Sequence, residues 1–183
     1  MSDITKKALR NSLRNLLQKK ALNKITVSDI TNDCGVNRMT FYYHFHDIYD
    51  LVESVCLTEM YAIMKDKSEE HWAEGMLEIF NAILENKQLI INVFRGAGYE
   101  QTENFLYKLL DSLTLKVVEE RAENLNVPKA DMQFIADFYK YAFTGILIQW
   151  IKTDMKENPE EIVEKLKRIC DHSAECMINN CKK

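Results

Sequence analysis

Residues that break or reverse a chain are scarce in this sequence. It has two prolines and five glycines in 183 residues. A β-sandwich or barrel joins many short strands by turns rich in such residues, so both architectures are disfavoured. Apolar side chains recur instead at helical spacing, as with Leu9, Leu13 and Leu17 near the N-terminus. The sequence therefore predicts an all-α fold.

Composition limits the class of protein. The chain is 46% hydrophobic and 28% charged, which suits a protein with a buried core and disfavours intrinsic disorder. No apolar run approaches the roughly 20 residues of a membrane-spanning helix, and no signal peptide opens the chain. The five cysteines are odd in number and lack a C-x-x-C pair. We expect a cytoplasmic protein with reduced thiols and no membrane contact.

Charge is distributed unevenly along the chain. Residues 1–46 carry eight Lys/Arg against three acids, whereas the remainder carries 16 Lys/Arg against 25 acids. A basic segment on an acidic protein suits an anionic partner such as the phosphate backbone of DNA. The same asymmetry also fits a surface that serves solubility alone, and charge by itself leaves both interpretations open.

A short helix, a turn and a second short helix are predicted at residues 26–45. Thr26 and Asp29 have the spacing of a capping box, so a helix begins near Val27. Gly35 suits the left-handed conformation that ends a helix, and Asn37 can cap the next one. The residues expected to close the small interface between the two helices are Ile30, Cys34, Val36 and Phe41. This arrangement is typical of a DNA-binding helix-turn-helix, whose second helix enters the major groove.

The run TVSDITNDCGVNRMTFYYHF, residues 26–45, closely resembles the helix-turn-helix signature of the TetR family of bacterial transcriptional regulators. The likeness continues in register to Leu51, and the helix pattern of the whole chain is similar to that family. Residues 40–51 and 144–151 are similar to a subgroup that includes activators of dihydroxyacetone-kinase operons. The resemblance implies a three-helix DNA-binding head over residues 1–46. It also implies a six-helix effector-sensing and dimerisation body over residues 47–183.

The resemblance also implies which residues contact double-stranded DNA. Arg38 is suited to a bidentate contact with guanine, and Met39 to a thymine methyl. Many family members have a small residue at the Thr31 position, glycine at the Met39 position and a phosphate-binding lysine at the Ile48 position, so this chain departs from the pattern at three positions. Tyr42 fits a packing role between helices equally well. The full predicted set is Thr26, Asn37, Arg38, Met39, Thr40, Tyr42, Tyr43 and His44.

The predicted helix that follows Pro128 is apolar nearly all round, so every side of it needs cover. A second copy of this helix and of the last one would supply it, through a four-helix bundle about a two-fold axis. Burial inside the monomer is the alternative. The candidate dimerisation residues are Phe138, Ile146, Trp150, Ile162, Leu166 and Ile169.

An effector pocket is implied among the middle helices. Its candidate lining residues are Met60, Met64, Trp72, Met76, Phe80, Phe94, Tyr99, Phe105 and Tyr107. Methionine and aromatic residues at helical spacing also form ordinary core, and the sequence does not separate the two cases. The input is either a small molecule or a partner protein.

Features of enzymes and metal carriers are missing from the sequence. No nucleophile motif or phosphate-binding glycine loop occurs, and Cys170 and His172 are two residues apart on a helix and point in different directions. We expect no catalytic residues, no metal and no cofactor. The sequence predicts a regulator whose dimer reads a palindromic operator. The alternative is an all-α adaptor that keeps the helix-turn-helix only as a packing unit.

Overall fold

The computed structural model describes residues 2–64 and 71–182, and helices are the only regular secondary structure within these ranges. This confirms the predicted all-α fold. Among the helices described, none combines the length and hydropathy that crossing a bilayer requires. The helices are α1 (Ser2–Leu17), a short 3-10 helix (Leu22–Lys24), α2 (Val27–Cys34), α3 (Arg38–His44), α4 (Ile48–Met64), α5 (Trp72–Glu85), α6 (Lys87–Ala97), α7 (Tyr99–Arg121), α8 (Lys129–Lys152) and α9 (Pro159–Asn180).

The chain divides into two packing units. Unit 1 comprises Met1–Ala62 and Asn86–Thr102, and unit 2 comprises Ile63–Glu85 and Glu103–Lys183. Unit 1 therefore joins the predicted head to most of α4 and to α6, rather than ending at residue 46. The predicted functional division at residues 46 and 47 stays a prediction.

The core of unit 1 is built on one face of α1. Leu9 and Leu13 are fully buried there, together with Ile30 of α2 and Phe41 of α3. Asn92 of α6 donates from its side-chain nitrogen to the backbone oxygen of Leu17, at 2.8 Å. That bond satisfies a carbonyl at the end of α1, which the helix itself leaves without a partner.

Unit 2 is organised around α8. Its buried side includes Trp150, whose ring meets Phe80 of α5 edge to face with centroids 4.9 Å apart. The last helix begins at a local capping signal, because the side chain of Asn158 accepts a hydrogen bond from the Glu160 amide at 2.8 Å and Pro159 occupies the first position. The buried residues of α9 include a stripe at helical spacing that packs within unit 2: Ile162, Leu166, Cys170, Ala174 and Ile178.

One side of α8 is exposed in the single chain, so the alternative of complete burial inside the monomer is wrong, whereas cover by a second copy stays a prediction. Phe134 is 76% exposed, and Phe138 and Tyr141 are 50% and 54% exposed. On α9, Ile169 is 65% exposed. We call these side chains, with the exposed Gly145, the outer face of unit 2. Three predicted dimerisation residues lie elsewhere, buried within unit 2 itself: Trp150, Ile162 and Leu166.

Candidate nucleic-acid interface

The helix-turn-helix forms through the local signals that the sequence predicted. The Thr26 hydroxyl oxygen accepts from the Asp29 amide at 3.1 Å, and the Asp29 carboxylate accepts from the Thr26 amide at 2.8 Å. This confirms the capping box. Gly35 takes the left-handed conformation at φ 71°, which ends α2. Because the turn is tight, Ile30 and Phe41 are both fully buried and hold α2 against α3.

The burial of Phe41 leaves the opposite side of α3 facing outward. Met39 is 77% exposed and Tyr43 is 82% exposed, and they lie one turn apart on the same helix face. The guanidinium of Arg38 donates to the Tyr42 hydroxyl at 3.5 Å, so these two side chains also lie together. We call Arg38, Met39, Tyr42 and Tyr43 the reading face.

Asn37 and Thr40, at the N-terminal end of α3, form the cap of this helix. The side-chain oxygen of Asn37 accepts from the Thr40 amide at 2.7 Å and from the Thr40 hydroxyl at 3.0 Å. Arg38 and Met39 take no part in this cap. The capping role predicted for Asn37 is confirmed, and the structure adds Thr40 to the cap, so two of the four residues position the helix and two extend from it.

Tyr42 and His44 differ from the fully exposed members of the set. The Tyr42 ring packs edge to face on Phe41, with centroids 5.4 Å apart, yet the residue is 48% exposed. Tyr42 therefore packs on its neighbour Phe41 within α3 and also reaches the surface, and its predicted packing role between helices stays a prediction. His44 is half-buried, and its ring lies edge-on to Tyr43 with centroids 4.9 Å apart.

Two cations of the basic segment are neutralised inside unit 1. Lys20 lies 3.0 Å from the Asp29 carboxylate. Hydrogen bonds from the Thr26 backbone and from Lys20 lower the pKa of Asp29, so its negative charge persists at neutral pH. Arg14 pairs with Glu59 of α4. The count of eight cations thus overstates the charge available to DNA, and the sequence offered no sign of the Glu59 pairing.

The N-terminus of α4 is closed by carboxylates. The Asp47 carboxylate caps the helix by accepting from the Asp50 amide at 2.9 Å, and the Asp50 carboxylate accepts from the His46 amide at 2.9 Å. Burial opposes ionisation of Asp47, but hydrogen bonds from the Asp50 backbone and from His46 outweigh it and lower its pKa. With no lysine at the Ile48 position, this end of α4 presents negative charge where many relatives present a cation.

Unit 2 contains a partly open cavity of about 70 Å³ that is lined by residues of α5, α7, α8 and α9. Two of the predicted pocket residues, Trp72 and Met76, line it. The structure places the others away from this lining. Phe80 is fully buried beside Trp150, and Phe105 and Tyr107 are half-buried. Unit 1 holds the buried Met60, the half-buried Phe94 and the half-exposed Tyr99. The Met64 side chain lies outside the described residues.

Sequence reasoning missed most of the cavity lining, because it comes from four separate helices. Tyr139 and Phe143 of α8 line it, as do Cys170 and Ala174 of α9. The one available signal was the pair of small residues one turn apart on the buried stripe of α9. No group of three or more candidate metal ligands occurs among residues 2–64 and 71–182. Burial raises the pKa of the Cys170 thiol to about 11.

Two family models match this chain. "Bacterial regulatory proteins, tetR family" matches residues 10–55, and "Transcriptional regulator C-terminal region" matches residues 70–172, which is more than half of the chain. The chain belongs to the TetR family. As a member, it is a DNA-binding transcriptional regulator, and the helix-turn-helix described above is the DNA-binding element of that family. The family and the relatives named below are regulators rather than enzymes.

A curated TetR-type relative is the HTH-type dhaKLM operon transcriptional activator DhaS of Lactococcus lactis subsp. lactis (strain IL1403). It is 24% identical over 148 residues, which cover 79% of this chain and 78% of the relative. The solved structure of dihydroxyacetone kinase operon activator DhaS has a TM-score of 0.67 at 20% identity, covering 98% of this chain and 99% of its own.

Two further solved structures share the fold. A TetR transcriptional regulator from Streptococcus agalactiae 2603V has a TM-score of 0.61 at 20% identity, covering 100% of this chain and 96% of its own. The TetR family repressor AlkX from Dietzia sp. strain DQ12-45-1b has a TM-score of 0.59 at 14% identity, covering 94% of this chain and 96% of its own. At these identities the likeness concerns the fold.

Proposed function

We propose that this regulator is a homodimer that reads a palindromic operator with the reading face of α3, under the control of a small molecule or partner protein bound by its C-terminal part. The observation that carries the proposal is the outward side of α3, where Met39 and Tyr43 are strongly exposed. A long methionine has no packing role at that position. It suits apolar contact with a thymine methyl in the major groove.

Each residue of the predicted DNA-binding set takes a role that follows from its position. Arg38 extends from the tip of α3 and suits a guanine edge, while Asn37 and Thr40 hold the helix end in place. The hydroxyls of Tyr42 and Tyr43 suit phosphate oxygens. Thr26 keeps its hydroxyl proton for a phosphate, since its oxygen acts as the acceptor in the cap. His44 completes the phosphate contacts from the end of α3.

The outer face of unit 2 supports the dimer. Exposed phenylalanine, tyrosine and isoleucine side chains on two helices that pack together, α8 and α9, present apolar area that water solvates poorly. Phe138 of α8 and Ile169 of α9 belong to that surface, and the half-buried Ile146 borders it. A two-fold axis would bring the same surface of a second chain against it. The two heads would then meet half-sites about one helical turn, ~34–36 Å, apart.

The likeness to DhaS, over most of both chains, favours a dihydroxyacetone-kinase operon as the target and activation as the output. Action on chromosomal DNA places the protein in the bacterial cytoplasm. A rival role as an adaptor gains support from the carboxylates at the start of α4, which would repel a phosphate.

The test is selection of genomic fragments by the purified protein at ~0.15 M salt, since phosphate contacts make affinity strongly salt-dependent. Arg38→Ala is compared with Arg95→Ala, which removes the same charge from an exposed position of α6. We expect a palindromic motif for the native protein and for Arg95→Ala. Arg38→Ala should lose roughly 1–3 kcal/mol of discrimination at one base position. Binding without any motif would favour the adaptor.

A further inference from the structure

One carboxylate oxygen at the start of α2 accepts from two donors at once. The Asp29 Oδ2 oxygen accepts from the Thr26 amide at 2.8 Å and from the Lys20 ammonium at 3.0 Å. The first bond belongs to the capping box of α2. The second comes from outside that helix, because Lys20 follows the end of α1. The cap is complete without a cation, so the ion pair calls for a reason of its own.

The backbone around Lys20 is fixed, which gives the ion pair a defined geometry. The Lys20 amide donates to the Leu16 backbone oxygen at 3.0 Å and is thereby tied to the last turn of α1. Between Lys20 and Thr26, the side chains of Leu22 and Ile25 are buried in the core of unit 1. The ammonium therefore meets the start of α2 at one place.

The carboxylate is charged at neutral pH and lies at a helix end that suits an anion. Hydrogen bonds from the Thr26 backbone and from Lys20 lower the pKa of Asp29. The first helix of a helix-turn-helix crosses the DNA backbone, and the amide groups at the start of a helix attract phosphate. An uncompensated Asp29 charge beside the Thr26 hydroxyl would repel that phosphate. Lys20 removes the conflict by balancing the charge.

We propose that Lys20 is a positioning residue for DNA binding, which neutralises the Asp29 carboxylate so that Thr26 and the start of α2 can meet a DNA phosphate. Lys20 acts through Asp29 and not as a phosphate contact, because its ammonium is directed to that carboxylate. The inference rests on the phosphate contact proposed above for Thr26. It explains how a capping carboxylate that stabilises the helix is compatible with binding a polyanion.

The test measures the affinity of the full chain for a duplex of mixed sequence at low salt, where phosphate contacts dominate and no operator needs to be known. Lys20→Met should lower the affinity about tenfold, because it leaves the Asp29 charge uncompensated. Lys20→Met combined with Asp29→Asn should return it to within about threefold of the native value, since an asparagine oxygen still accepts from the Thr26 amide. Lys20→Arg keeps the cation and should bind as the native protein does.

Lys20→Met combined with Asp33→Asn is the matched control. It has the same net charge as the rescued variant, but the carboxylate is removed from an exposed position near the other end of α2. Its affinity should stay as low as that of Lys20→Met. Urea denaturation of each variant separates charge from folding, because the rescued variant also lacks the ion pair and should regain affinity without regaining stability.

Three results would overturn the inference. Native affinity in Lys20→Met would show that the pair is irrelevant to DNA. No rescue by Asp29→Asn would make Lys20 a phosphate contact itself, and equal rescue by Asp33→Asn would reduce the effect to net charge. Failure of the proposed function is distinguishable, because the native protein would then bind no DNA, whereas these three results arise in a protein that binds it.

Discussion

Replacing Gly96 with alanine should separate α6 from the short 3-10 helix that precedes the helix-turn-helix. A Cβ atom at Gly96 would lie 2.6 Å from the backbone nitrogens of Leu22 and Asn23, and 2.7 Å from the Leu22 Cβ. Ordinary carbon contacts are about 3.5 Å or longer, so the two elements must move apart by about 1 Å. Backbone atoms cannot rotate out of the way as a side chain can, so α6 or the 3-10 helix must shift as a whole.

The expected magnitude combines two opposing effects. Overpacking of a well-packed contact costs about 1–3 kcal/mol, and a clash with backbone belongs at the upper end of that range. Alanine gains about 1 kcal/mol over glycine inside a helix. We expect a net loss of about 2 kcal/mol in the free energy of unfolding of Gly96→Ala. The hydrogen bond from Asn92 to the Leu17 carbonyl, made by the same helix, should weaken with it.

Gly145→Ala is the matched control. It is the same substitution within a helix, and apart from the adjacent residues and the backbone of its own helix no atom lies within 4 Å of the Cβ position. It should stabilise the protein by roughly 0.5–1 kcal/mol, because glycine is entropically unfavourable in a helix. Since Gly145 lies on the outer face of unit 2, both variants are compared at equal concentration and their oligomeric state is checked.

Urea denaturation measures the free energy, and hydrogen exchange reports on the amides of α6 and of residues 22–24 directly. Gly96→Ala should lower the denaturation midpoint and speed exchange in both segments. It should also weaken operator binding, since the 3-10 helix connects α1 to α2. If Gly96→Ala is instead as stable as the native protein or stabilises like Gly145→Ala, the close approach of α6 described here is wrong.

Three further predictions concern unit 2. Thr144→Val should raise the free energy of unfolding by about 1 kcal/mol, as measured by urea denaturation. The buried Thr144 hydroxyl oxygen has no hydrogen-bond partner, and a methyl group of the same shape needs none. A lower free energy of unfolding in the variant would show that the hydroxyl is hydrogen-bonded. Phe138→Glu should yield monomers in analytical ultracentrifugation, and an unchanged dimer would place the interface elsewhere. The Lys140 ammonium pairs with the Asp137 carboxylate and lowers the pKa of Asp137 below its ordinary value of 3.8. The ion pair therefore stabilises the folded protein fully above pH 3.8, and this stabilisation is lost as the pH falls through the lower pKa of the folded state. Lys140→Met should therefore flatten the decline of stability below pH 4, and an acid limb identical to that of the native protein would contradict this.

The helix ends were predictable because their causes are local. The Thr26–Asp29 capping box, the left-handed Gly35 and the Asn158–Pro159 start each involve residues within four positions of one another. Such interactions depend little on the rest of the molecule.

The partners of charged and aromatic residues were not predictable, because they come from distant parts of the chain. Glu59, which neutralises Arg14, is in another helix, and Asp171 pairs with Arg121 from a position 50 residues away. A count of charges or of aromatic residues is the same whichever partners they find. The surplus of cations in the head was thus overstated, and of the predicted pocket residues only Trp72 and Met76 line the cavity.

Local chemistry was sufficient to predict the helices and the helix-turn-helix, since hydrogen bonds and helical periodicity act over a few residues. The DNA-facing role of Met39 was implied by the family resemblance, and its exposure is a finding of the tertiary structure. Which side of the apolar helix α8 faces outward was decided by packing. Its sequence is hydrophobic all round, so Phe138 and Trp150 look equivalent until α5 and α9 cover one of them. The cavity has the same origin, because an empty space arises only where side chains from several helices fail to meet.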